Sequence, residues 1–255
     1  MKMGKVEKYI YDHKARGEPI LMPLIDPCDH PSPEKAAEAA KAAVDGGAQL
    51  VLVGGSIGAQ GALMDETTRL VKEAVNVPVN IFPGNNASIT KYADSIYFYS
   101  LLNSRNAYWT TMAQTTGAPV IKRLGIEPLP TGYIVVAPGG TVGWVADVNL
   151  VPRDKPHIAA ALALAGEYMG NRLILTDTGS APADGHIPLE MIKAVRQAIS
   201  VPYIVGGGVR TPEQAKDVVR AGADAIQVGT AIENNKKARD TIKAMLKAMK
   251  DGKRK

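Results

Sequence analysis

"YIVGGGVRTPEQA", residues 203–215, is the stretch on which the reading of this chain turns. An apolar run ends in three glycines; Thr211 then offers an N-cap, Pro212 a first helical position and Glu213 a first-turn acid. Three adjacent glycines cost conformational entropy, so they mark a tight turn or a ligand lying against bare backbone. Strand, glycine turn and helix N-terminus in that order form an anion site, because the amides are unpaired and the helix dipole favours negative charge. The expected anion is phosphate.

The same order of strand and helix repeats outward from this stretch. Strands are expected at residues 20–25, 50–53, 79–82, 95–99, 133–136, 173–176, 203–205 and 225–228. Most are unbroken apolar runs, as strands covered on both faces of a parallel sheet should be. Helical patterns fall between them, at 33–45, 63–75, 105–116, 156–169, 188–199, 212–221 and 234–249. The interval from Phe82 to Ser95 is too short and polar for a crossover helix, so that helix is expected to be stunted or replaced. No strand is followed by the GxGxxG of a dinucleotide fold. Eight such units predict an α/β fold, a modified TIM (β/α)8 barrel. No linker or composition shift divides the chain, so residues 1–255 are expected to form one domain. Segments starting at Ser32 and Thr211 also share a grammar of Ser/Thr-Pro-Glu, helix, Gly-Ala, strand and Val-Gly, either as a repeat or as convergence.

Composition narrows the function classes. The chain has 255 residues, 45% hydrophobic and 22% charged, with a formal net charge of +5 partly supplied by the tail "DGKRK". That is a solvated end rather than a nucleic-acid surface, which would interleave basic and aromatic residues. Cys28 is the single cysteine, so there is no intrachain disulfide or cysteine-based zinc cluster. No signal-peptide pattern or apolar run of ~20 residues is present, and a cytoplasmic protein is expected.

Barrel chemistry sits at the C-terminal ends of the strands. Those ends read Asp26, then Gly54–Gly55–Ser56, "PGNN", Ser100 to Asn103, "APGGTVG", Asp177 to Ser180, the three glycines, and Gly229–Thr230. The last two lie in the loops where barrels most often hold phosphate. Asp26 either caps the turn at Pro27 or binds a metal with help from Ser56; such hard oxygen ligands suit Mg²⁺. Asp177 either accepts backbone amides or takes a proton from a substrate hydroxyl. The four histidines show no ligand spacing, and nothing near Cys28 suggests an activated thiol. Tyr97, Phe98, Tyr99, Tyr108, Trp109 and Trp144 either pack the core or line an apolar groove for an amphiphilic phosphorylated substrate.

These residues resemble the geranylgeranylglyceryl phosphate synthases of archaeal membrane-lipid synthesis, which have longer-chain bacterial relatives. The similarity runs through "LIDP", "VGGS", "FPGN", "SLLNSRN", "PGGTVGWV", "DTGS", "VGGGVR" and the late "GT". The resemblance implies transfer of a geranylgeranyl group from geranylgeranyl diphosphate to sn-glycerol-1-phosphate with Mg²⁺. It implies Asp26 and Ser56 at the metal. It implies Leu175, Thr176, Asp177, Thr178, Gly179, Ser180 and Ala181, with Gly206, Gly207, Gly229 and Thr230, at glycerol phosphate, and Asp177 as the catalytic group. Homo-oligomers and a transient membrane-surface contact are implied as well. The chain departs from the family at Leu175 and Asp177, where tyrosine and glutamate are usual, and at Ala137, where glutamate is usual. Rival readings are a longer prenyl donor, another phosphate-binding barrel enzyme, and a barrel that binds phosphorylated ligands without turnover. No lysine stands at a strand end to support a lyase or isomerase.

Overall fold

In the computed structural model, which describes residues 2–180, 184–229 and 237–252, eight parallel strands close into a barrel in chain order. The strands are β1 (Ile20–Ile25), β2 (Val51–Val53), β3 (Val79–Ile81), β4 (Ser95–Leu101), β5 (Glu127–Val135), β6 (Leu173–Asp177), β7 (Tyr203–Gly206) and β8 (Ala225–Val228). Closure is made by Ile20 to Pro23 of β1 pairing with Ala225 to Val228 of β8. Alternation then sorts the side chains into two cores. Leu21, Ile25, Val51, Val53, Ile226 and Val228 point outward under the helices. Met22, Leu52, Tyr97, Leu129, Leu175 and Ile204 fill the interior.

The outer layer comprises α2 (Pro33–Asp45), α3 (Gly61–Ala74), α4 (Ala113–Leu124), α6 (Pro156–Tyr168), α7 (Leu189–Ala198), α8 (Pro212–Ala221) and α9 (Ala238–Asp251). A short α5 (Gly140–Val145) precedes α6. Between β3 and β4 there is only a 3-10 turn, Asn86–Ser88, in place of a crossover helix. Thr211 and Gln214 form a full capping box at the start of α8, whereas Ser32 before α2 makes no side-chain cap.

Three features differ from the sequence expectation. A helix α1 (Lys5–Ala15) precedes the barrel. Its Val6 and Ile10 pack with Ile20, Leu50, Leu129, Leu173 and Ala225, which stand at or near the strand starts, so α1 plugs the N-terminal mouth. Strand β5 begins at Glu127, before two prolines. The Pro130 carbonyl accepts from Arg172, on the β6 side, and β6 pairing starts only at Thr131–Leu173. The missing N–H groups of Pro128 and Pro130 therefore face a side that no strand yet covers. The expected helix at 105–116 becomes a π-helical turn, Tyr108–Met112, running into α4. There the Gln114 amide donates to the carbonyls of Tyr99 and Trp109 and opens the winding.

The plug is held by charge. Glu127 accepts from the Val6 and Glu7 amides, both at 2.8 Å, at the N-terminus of α1. The buried Glu7 pairs with Arg172 at 3.0 Å. Replacing Glu127 with alanine is expected to cost about 1–2 kcal/mol, lowering the melting temperature by roughly 2–4 °C per kcal/mol. Calorimetry of the folded variant reads this.

Candidate active site

Two adjoining cavities open at the C-terminal ends of the strands. The larger, about 340 Å³, spans the exits of β1 to β6 and is lined by Asp26, Gly55, Ser56, Phe82, Tyr99, Trp109 and Tyr133. Helix α5 borders it through Thr141, Val142 and Val145. The smaller, about 50 Å³, lies at the exits of β6 to β8, among Ser180, Gly207, Gly208, Arg210, Gln227 and Gly229. Leu24, Asp177, Gly179 and Ser180 line both. A polar, glycine-walled pocket thus joins a chamber with aromatic walls, and Asp177 stands at the junction.

Asp177 ends β6 with its side chain in the barrel, only 8% exposed. Its Oδ1 accepts from the Gly179 amide at 2.7 Å and its Oδ2 from the Tyr133 hydroxyl at 3.2 Å. Burial raises its carboxyl above the ordinary aspartate range, opposed by those two hydrogen bonds. One carboxylate oxygen serves the backbone, as one of the two sequence readings of Asp177 has it, and the other serves Tyr133, while the residue lines both cavities. Tyr133 is the residue sequence reasoning missed. Its phenol is pushed well above its usual range by burial and then by Asp177, so it stays a hydrogen-bond donor. Phe82 and Tyr99 meet the Tyr133 ring edge-on, at 5.6 and 5.3 Å between centroids, and fix it.

Asp26 follows β1. Its Oδ1 caps a 3-10 turn, Pro27–Asp29, by accepting from the Cys28 amide at 2.9 Å. A Cβ on Gly55 would come within 2.2 Å of its Oδ2, so the carboxylate lies over the backbone that carries Ser56. Burial raises its carboxyl, and Asp29 raises it further. Among the described residues no cation acts on it. A half-buried carboxylate with one oxygen free of the cap and no positive partner fits a hard cation whose other ligands are water and phosphate. Among the described residues no three His, Cys, Asp or Glu side chains cluster as a protein-only metal cage.

At the expected anion site the amides around the start of α8 are partly taken: Arg210 and Thr211, just before the helix, donate to Gln214 Oε1, and Gln214 donates to Thr211 Oγ1. Further donors lie in the turns. Among the described residues the amides of Ser180, Gly207 and Gly208 donate no hydrogen bond. Gly207 has φ +77°, and a Cβ there would come within 2.5 Å of Thr178 Oγ1 and 2.6 Å of Asp177 Oδ1. Only glycine lets that turn close against β6. Arg210, the basic residue of "VGGGVR", adds positive charge to the pocket lining.

Not every expected residue reaches the cavities. Leu175 is packed inside the barrel, and the Thr176 hydroxyl is paired with Tyr203 at 2.8 Å, so both support the end of β6 from below. The Thr178 side chain is buried, and Gly206 lies one residue deeper than the turn. Ala181 and Thr230 fall outside the described residues. Asn103 of "SLLNS" is a clamp: it donates to the carbonyls of Val135 and Asn149 and accepts from the Val135 amide. Ala137 uses its backbone to bond Val151 and Arg153. The aromatic residues divide between both readings, since Tyr99 and Trp109 line the chamber, Phe98 packs under the helices and Trp144 is 83% exposed. Cys28 borders the chamber, with its thiol pushed up by burial and by Asp26.

A family model described as the PcrB family matches residues 18–249. The chain is 52% identical to a geranylgeranylglyceryl phosphate synthase of Thermococcus sibiricus, over 91% of this chain and 90% of that one. It is 49% identical to the synthase of Thermococcus kodakarensis, over 98% and 99%. The crystal structure of (S)-3-O-geranylgeranylglyceryl phosphate synthase from Thermoplasma acidophilum, in complex with substrate sn-glycerol-1-phosphate, superposes with a TM-score of 0.92 at 35% identity. It covers 98% of this chain and 100% of that one.

The site carries a stability cost that can be measured. Because burial raises the Asp177 carboxyl in the fold, its ionised form opposes folding above that raised value. The opposition disappears once both folded and unfolded carboxyls are protonated. Asp177→Asn is expected to raise the melting temperature at pH 8 by about 2–4 °C and to lose that gain below about pH 4. Melting curves at both pH values check it.

Proposed function

The chain belongs to the PcrB family, and on that premise we propose that it transfers the geranylgeranyl group of geranylgeranyl diphosphate to the C3 hydroxyl of sn-glycerol-1-phosphate. The product carries the first ether bond of an archaeal-type membrane phospholipid. The observation that carries this reading is the junction at Asp177 between a glycine-walled anion pocket and an apolar chamber bordered by Asp26. A small polar phosphate fits the first, and an isoprenoid diphosphate fits the second. Relatives of that name at 46–52% identity support it.

In this reading the Ser180, Gly207 and Gly208 amides and Arg210 hold the phosphate of the acceptor. The glycerol then extends toward Asp177, whose Oδ2 takes the proton of the C3 hydroxyl as that oxygen attacks C1 of the prenyl group. The bond from C1 to the diphosphate oxygen breaks in the same event, and diphosphate leaves. Tyr133 keeps Oδ2 aimed and ionised. This supplies, from β5, a phenol near the place where the family's tyrosine is replaced by Leu175. Phe82, Tyr99 and Trp109 in the chamber lining exclude water, and aromatic rings there favour the positive charge that develops on the allylic carbon. Asp26 and Ser56 would hold Mg²⁺, which when bound supplies positive charge against the leaving diphosphate.

Among the described residues no helix is long and apolar enough to cross a membrane. A brief surface contact suffices for loading the donor in this reading. Self-association is part of the proposal too, supported by Ile158, Tyr168 and Met169, which stand exposed on or just after α6.

The test is product formation from labelled sn-glycerol-1-phosphate with prenyl diphosphates of ten, fifteen, twenty and thirty-five carbons. A lipid-soluble product peaking at twenty carbons is expected. It should be abolished by EDTA and reduced roughly a hundredfold or more in Asp26→Asn. A peak at thirty-five carbons would move the protein to the longer-chain relatives, and no product with any donor would sink the reading.

A pH profile tests Asp177. Activity requires its carboxylate, so turnover should fall on the acid side as Asp177 protonates. Tyr133→Phe removes a hydrogen bond that favours the carboxylate, so the acid limb should move toward neutral pH. An unmoved limb would show that another group carries the proton.

A further inference from the structure

The sheet register sets Asp177 of β6 beside Gly206 of β7. Gln227 stands one step beyond, on β8, where Val205 pairs with Ile226. The middle member of this row has no side chain, and its two neighbours lean over the gap. Gln227 Oε1 and Asp177 Oδ2 lie 3.1 and 3.2 Å from the position a Cβ on residue 206 would take. Two acceptor oxygens thus converge on one small space in the floor of the anion pocket.

The amide is held in one orientation. Gln227 is 4% exposed, and its Nε2 donates to the Tyr97 hydroxyl at 2.8 Å. That hydroxyl in turn points its proton at Met22 Sδ, 3.6 Å away, a partner that only accepts. Flipping the amide would set Oε1 against the hydroxyl oxygen, two acceptors facing each other while the phenol proton goes to Met22, so Nε2 faces Tyr97 and Oε1 faces Gly206. Among the described residues nothing donates to Oε1, and Gln227 lines the smaller cavity. An amide oxygen fixed in place at the cavity wall and lacking a donor among the described residues selects a ligand that brings one.

Position decides which hydroxyl it receives. Asp177 lines both cavities, whereas Gln227 lines only the smaller one, with the glycine turn. A glycerol phosphate reaching from that turn to Asp177 carries its C2 hydroxyl past Gln227 before its C3 hydroxyl arrives at the carboxylate. We infer that Gln227 receives the C2 hydroxyl of the acceptor and so selects a phosphorylated vicinal diol over a simple hydroxyalkyl phosphate. This rests on the proposed reaction for the identity of the acceptor. The convergence of the two oxygens over Gly206 stands independently of turnover.

The experiment compares sn-glycerol-1-phosphate with 3-hydroxypropyl phosphate, which lacks only the C2 hydroxyl. Both are measured by calorimetric binding and by kcat/KM with geranylgeranyl diphosphate. The unaltered protein is expected to prefer the diol about 10- to 100-fold. Gln227→Met, of similar length and apolar, should remove most of that preference, with the loss falling on the diol. Tyr97→Phe frees the amide to turn and should reduce the preference partly. Equal weakening of both ligands in Gln227→Met would overturn the inference, because a group that merely packs the barrel cannot distinguish them. Discrimination in binding without turnover of either phosphate would overturn the reaction and leave Gln227 in its role.

Discussion

Pairing of the first strand with the last is the constraint from which the rest follows. With Ile20 to Pro23 laddered to Ala225 to Val228, the sheet has no edge, and every strand must end on one ring. Asp26 and Asp177, 151 positions apart in the chain (177 − 26), thereby border a single chamber. Neither was placed there by a local motif. A sheet left open between β8 and β1 would keep the glycine turn and lose the facing wall.

The ring brings together groups that do not stabilise the fold. Both aspartates have carboxyls raised by burial, and among the described residues no cation acts on either. What they receive is a small number of neutral donors, enough to hold the carboxylates in place without satisfying them. Unmet demand of that kind is characteristic of a site that awaits a charged or hydroxyl-bearing ligand. The barrel tolerates it because the layers beneath are apolar, with Leu52, Leu129, Leu175 and Ile204 fully buried.

The strands were legible because buried parallel strands announce themselves as apolar runs, and the rim followed from the strand ends. The helix α1 escaped notice although Val6, Ile10 and His13 follow a helical spacing, since its polar composition hides a narrow stripe. The start of β5 was masked by Pro128 and Pro130, whose lost donors matter only if a partner strand lies on that side. At the site, sequence order pointed to Asp26, Asp177 and the glycines. It could not point to Tyr133 or Gln227, because nothing local distinguishes a tyrosine or glutamine facing the barrel axis from one facing a helix. Their roles come from register across strands. At the α8 cap a strong local signal for free amides is weakened by Gln214, three residues on from Thr211, which accepts from Arg210 and Thr211.

The plug at the N-terminal mouth has a kinetic side. With α1 seated on the strand starts, the two cavities open at the opposite end. Whatever occupies them arrives and departs across the same rim. The first eleven-residue helix thus gives the barrel a polarity, one sealed end and one hollow end.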